Sequence, residues 1–94
     1  MRAEPLLRSK DVLSDGSILE MVIWRVPLPV GGSAHEYKYR LFYGCEGRRI
    51  IGFDNERLKG DHHHIDGIEI PYVVTSVDKL VDDFLSEVRA RRVP

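Results

Sequence analysis

The sequence predicts an α+β chain: a small antiparallel sheet of four to five strands in two hairpins, with a C-terminal amphipathic helix packed on one face. Three observations carry this. An Asp15-Gly16 pair separates two strand-like runs, and such a pair accepts positive φ at little cost. Residues His35 to Tyr43 alternate with the period of two expected for a half-buried strand. Val77, Leu80, Val81, Phe84, Leu85 and Val88 recur at helical spacing and form one apolar stripe.

In chain order, residues 6–13 and 17–26 read as the first hairpin. Its second strand, I-L-E-M-V-I-W-R-V, is apolar at most positions, as a central strand covered on both faces would be. Pro27 and Pro29 end it, since neither can donate a ladder hydrogen bond. Gly31-Gly32 permits a sharp turn before His35. In the next strand His35, Tyr37, Tyr39, Leu41 and Tyr43 share one face, and Glu36, Lys38, Arg40 and Phe42 the other. Gly44 to Gly47 turns the chain into R-R-I-I-G-F-D, completing a second hairpin. The stretch from Phe53 to Gly67 reads as a polar loop, and I-E-I-P-Y-V-V as a short strand whose Pro71 places it at an edge. Thr75 or Ser76 caps the final helix, with acids early and arginines late, as the helix dipole favours.

Size and composition exclude several classes. The 94 residues fit a single domain, read as 1–94, that buries roughly 60–65% of its unfolded surface. No apolar run approaches the ~20 residues that span a bilayer, and the first ten residues lack the continuous apolar core of a signal peptide. The lone Cys45 has no partner for an internal disulfide, which fits a reducing compartment. The expected location is cytoplasmic. A net charge of −1 argues against indiscriminate attraction to nucleic acid. The charges are uneven, however. Residues 1–60 hold ten Lys/Arg against eight Asp/Glu, whereas residues 61–87 hold one against seven. A local basic surface beside an acidic helix is compatible with that distribution.

The candidate chemistry lies in F-D-N-E-R-L-K-G-D-H-H-H-I-D-G and in the strand beginning at His35. An imidazole titrates near neutral pH, so His62, His64 and His35 are candidate acids and bases. Cleavage of an RNA phosphodiester needs such a base at the 2′-hydroxyl and cations on the phosphate. Lys38, Arg40, Arg57 and Lys59 are the candidate phosphate contacts, and arginine suits a bidentate grip. Asp54, Asn55, Glu56 and Asp61 are candidates for orienting the histidines; Asp54 and Asn55 serve equally as strand terminators. A metal reading would combine His62 and His64 with Asp54, Asp61 or Asp66, but the spacing matches no zinc signature, so neither metal nor cofactor is expected. Consecutive strand residues alternate sides, so at most two of the three histidines share a face. Trp24 and the tyrosine stripe read as core, and Cys45 lacks the His-Asp surroundings of a nucleophile.

Several of these runs together resemble the TumE toxin family. The resemblance is carried by E-M-V-I-W-R-V-P-L-P-V, H-E-Y-K-Y-R-L-F-Y, D-N-E-R-L-K-G-D-H-H-H-I, P-Y-V-V and the helix containing Asp83-Phe84, and it spans about residues 5–90. The family-like positions are Trp24, Arg25, His35, Tyr37 through Arg40, Asp54 through Arg57, Lys59 through His62, and His64. The chain departs at Leu58, where a small residue is usual, and at His63, where an arginine is usual; the latter weakens a phosphate role there. The resemblance implies the toxin half of a type II toxin–antitoxin pair, restrained by a cognate DNA-binding antitoxin as a homodimer or a heteromeric complex. RNA is the expected substrate, by analogy with similar toxins of small sheet-plus-helix fold. The rival expectation is a non-enzymatic module that uses the same polar loop to bind protein or nucleic acid.

Overall fold

The computed structural model describes residues 2–55 and 60–92. Six strands, β1 (Glu4–Val12), β2 (Ile18–Arg25), β3 (Tyr37–Cys45), β4 (Arg48–Asp54), β5 (His62–Ile65) and β6 (Ile68–Pro71), precede one helix, α1 (Val77–Arg91). Each strand pairs antiparallel with the next, giving a meander in sequence order. The α+β class and the C-terminal helix are as expected; the strand count is six rather than four to five. The additional strand is β5, which carries the three histidines read as part of a polar loop. Asp66 and Gly67, with φ of 51° and 85°, make the tight turn that folds β5 onto β6. Pro71 does lie in an edge strand.

One face of the sheet is covered by α1. Register places Met21, Leu41 and Phe53 in one row and Ile23 and Tyr39 in the neighbouring row, all toward the helix. Ile23, Tyr39, Leu41, Tyr43, Ile51 and Phe53 are buried there against Leu80, Phe84 and Val88 of α1. The rings of Phe53 and Phe84 meet edge-on at 5.7 Å. Ser76 caps α1, its side chain accepting from the Lys79 N–H at 3.0 Å. At the far end the Arg92 guanidinium reaches Asp15 at 3.0 Å and the Tyr43 hydroxyl at 3.3 Å, tying the helix to the first hairpin turn.

Among the described residues, the other face carries no helix. The expectation that β2 is covered on both sides therefore fails: Ile18, Val22 and Trp24 lie on the open face and stay half-buried. No helix among the described residues is long and apolar enough to cross a membrane.

Asp83 joins the segment after β6 to α1, accepting from the Tyr72 hydroxyl and the Lys79 ammonium, each at 2.6 Å. These hydrogen bonds hold its carboxyl below the ordinary value of 3.8. A carboxylate with a lowered folded pKa contributes stability that is present above 3.8 and lost as pH falls through its folded value. Chemical denaturation across pH 5 to 2 should thus show a shallower acid loss for Asp83→Asn than for the parent. Equal slopes would remove Asp83 from the acid response.

Candidate active site on the helix-free face

The open face is ordered by strand register. One row runs Glu20, Phe42, Gly52, His64, Glu69; the next runs Val22, Arg40, Asp54, His62, Pro71. Asp54 and His62 are thus direct cross-strand partners, and His64 lies one pleat along β5 on the same side. His62 Nε2 stands 2.8 Å from Asp54 Oδ1 and 3.7 Å from Glu69 Oε1, and its Nδ1 is 3.1 Å from the Gly60 carbonyl. Both near contacts are acceptors, so a hydrogen on each ring nitrogen satisfies them. His62 is only 5% exposed. The His64 ring meets it edge-on at 4.9 Å. Burial, then the nearby Arg49 and His62 charges, hold the His64 imidazole below its ordinary value of 6.5, favouring the neutral ring.

Cations flank this group. Arg40, Arg49, Phe42, Gly52 and Asp54 line a shallow groove. Gly52 is required by that arrangement: a Cβ there would stand 2.6 Å from Arg49 Cδ, so glycine lets the arginine lie across the sheet. Arg40 bonds Glu20 at 2.6 Å and sits over the Phe42 ring at 5.1 Å. Lys38 is exposed on the same face.

A second cluster lies at the end of β3. Asp61 Oδ1 accepts from the Tyr39 hydroxyl at 2.8 Å, from His35 Nε2 at 2.8 Å and from the Ser33 hydroxyl at 3.3 Å. His35 Nδ1 accepts from the Tyr37 N–H at 3.1 Å, which assigns the ring proton to Nε2. Burial and the Asp61 charge push the Tyr39 phenol far above its ordinary value. Buried Asn55 accepts from the Tyr39 N–H at 3.1 Å and donates to the Tyr37 carbonyl at 2.7 Å and to Ser33 Oγ at 3.2 Å, carrying the β3 pairing past the end of β4. Gly60, at φ 76°, passes close to Gly32: a Cβ there would be 3.0 Å from its carbonyl oxygen. The two clusters are continuous through Gly60, Asp61 and His62.

Of the residues singled out from sequence, the structure brings Asp54, His62, His64, Arg40 and Lys38 to one face. His35, Asn55 and Asp61 form the separate cluster that fixes the chain entering β5. Glu56, Arg57 and Lys59 lie outside the described residues. His63 points to the opposite face, between Phe53 at 4.9 Å and Tyr72 at 5.6 Å, and burial lowers its pKa. Two residues escaped the sequence reading. In the sequence, Arg49 and Glu69 stand out only as members of strand-like runs. The two-residue Asp66-Gly67 turn was the available signal for Glu69, because it sets Glu69 opposite His64.

No curated protein and no solved structure matches the chain significantly. A family described as Toxin TumE does, over residues 2–92 of the 94. With nearly its whole length matched, and with the toxin–antitoxin setting this brings, the chain belongs to the TumE toxin family.

Proposed function

We propose that this toxin is an endoribonuclease that works by histidine acid–base chemistry on the helix-free face, and that a DNA-binding antitoxin restrains it. The observation that supports this most is the alignment of Asp54, His62 and His64 beside Arg40 and Arg49 on the face opposite α1. His64, whose nitrogens make no hydrogen bond among the described residues, takes the proton from a ribose 2′-hydroxyl. The new bond joins O2′ to phosphorus and the P–O5′ bond breaks. His62, backed by Asp54, returns a proton to O5′, leaving a 2′,3′-cyclic phosphate and a free 5′-hydroxyl. Arg40 and Arg49 take the charge that grows on the non-bridging oxygens, with Lys38 extending the grip along the strand. His35 and Asp61 hold the segment that carries His62.

The test is inducible expression with and without the antitoxin, followed by end analysis of RNA cut by the purified protein. Cyclic phosphate ends, with a rate that EDTA does not lower, are expected. Replacing both Arg40 and Arg49 by Ala should lower kcat/KM by about 10²-fold or more. RNA that is bound but never cut would sink the enzyme and favour the binding module, whose affinity should fall linearly with salt on logarithmic axes.

A further inference from the structure

We propose that Asp54, His62 and His64 also form a binding site for a divalent transition-metal ion of the zinc class, and that occupancy silences the imidazoles. The silencing half rests on the acid–base reading above; the binding half does not.

The donor set is chemically suited to such an ion. Two imidazoles and a carboxylate are offered from adjacent strands, and their ligand atoms all lie within 4.8 Å of one another. A tetrahedral zinc ion with bonds of about 2.0–2.2 Å holds its ligand atoms roughly 3.5 Å apart. Binding an ion therefore asks the most distant pair of donors to close by roughly 1 Å. His62 is already held as metal-bound histidines usually are. Its Nε2 faces the cluster while Nδ1 donates to the Gly60 carbonyl at 3.1 Å, the outer contact that fixes the tautomer of a ligating ring. The hydrogen now shared between His62 Nε2 and Asp54 Oδ1, 2.8 Å apart, occupies the place a cation would take.

A fourth donor is at hand. Glu69 Oε1 is 3.7 Å from the same His62 nitrogen, and its half-exposed side chain is free to swing onto an ion. Arg49 opposes a cation here, since it already bears on His64. Asp54 and Glu69 lie on the same face and offset it, and Arg40 lies against Glu20 at 2.6 Å. The paired imidazoles select the ion: zinc-class metals take nitrogen ligands, whereas Mg²⁺ prefers an all-oxygen shell. An ion bound here uses the nitrogen lone pairs that cleavage needs for proton transfer, so metal and turnover exclude each other.

Titration calorimetry of the chelator-stripped full chain with ZnCl₂ and with MgCl₂ tests this. Saturable binding of one Zn²⁺ per chain is expected, with no Mg²⁺ signal. His64→Ala, Asp54→Asn and Glu69→Gln should each weaken Zn²⁺ binding by about tenfold or more, and Cys45→Ser should not. Circular dichroism melts confirm that each variant is folded. Absence of saturable Zn²⁺ binding overturns the site, as does unchanged affinity in folded His64→Ala and Asp54→Asn. RNA cleavage in the same samples separates the two halves. Inhibition by Zn²⁺ that EDTA reverses supports both. Cleavage that requires Zn²⁺ keeps the site but overturns the silencing and the metal-free mechanism together. Zn²⁺ binding without RNA cleavage under any condition keeps the site and overturns the endoribonuclease reading.

Discussion

A His64→Ala variant is expected to lose RNA cleavage by about 10²–10⁴-fold and, with it, growth inhibition on induction, while remaining folded. The size follows from the role: a positioned base in the transition state is typically worth that factor. The survival of the fold follows from the surroundings. His64 is half-buried on the helix-free face, makes no hydrogen bond among the described residues and touches the His62 ring edge-on at 4.9 Å. Truncating such a side chain costs about 1 kcal/mol or less. His62→Ala would be a poorer test. It removes a buried ring whose two nitrogens hold the Gly60 carbonyl and Asp54, so lost activity and lost structure would arrive together. The measurement is the single-turnover cleavage rate set beside the denaturant midpoint. Cleavage at the parental rate by folded His64→Ala would acquit this histidine.

What the sequence made legible, and what it hid, follows from how far each signal reaches. The α1 stripe and the Asp15-Gly16 turn are local, and both appear as expected. The alternation in β3 correctly separated buried Tyr39, Leu41 and Tyr43 from exposed Lys38 and Arg40. β5 was hidden because three histidines and a preceding aspartate carry little strand propensity; pairing on both sides makes the strand. The Asp54–His62 pairing was hidden for another reason. The link between β4 and β5, residues 55–61, is too long for a turn type to set the register. Arg49 is the most instructive omission. Simple alternation places it with Ile51 and Phe53, facing the core. The register shift after Tyr43 inserts Ile50 as an extra residue, so Arg49 pairs with Gly44 and emerges on the opposite face. A bulge of this kind re-aims a side chain without any mark in hydrophobic periodicity.

An Asp61→Ala variant is expected to lose about 2–4 kcal/mol of stability and most of its cleavage activity, although Asp61 points away from the helix-free face. Its carboxylate oxygen serves three donors, Tyr39, His35 and Ser33, and the first two stand at 2.8 Å. The pair is sheltered, with His35 16% and Asp61 13% exposed, so water replaces the lost acceptor poorly. Removing it strands the Tyr39 hydroxyl and the His35 N–H, at about 1–3 kcal/mol for each group left unsatisfied. Asp61→Asn retains an acceptor oxygen and should recover part of the stability, which separates hydrogen bonding from charge. The functional loss has a structural route. Asp61 fixes the backbone between Gly60, whose carbonyl holds His62, and His62 itself, while its own carbonyl accepts from the Tyr72 N–H at 3.1 Å. On the proposed mechanism, a displacement of even about 1 Å there would spoil the alignment of His62 with substrate. Cleavage should therefore fall mainly in kcat, because Arg40, Arg49 and Lys38, the proposed phosphate contacts, are left in place. A parental melting temperature for Asp61→Ala would remove the cluster from the stability of the fold. Undiminished stability with cleavage lost would instead place Asp61 at the reacting atoms rather than beneath them.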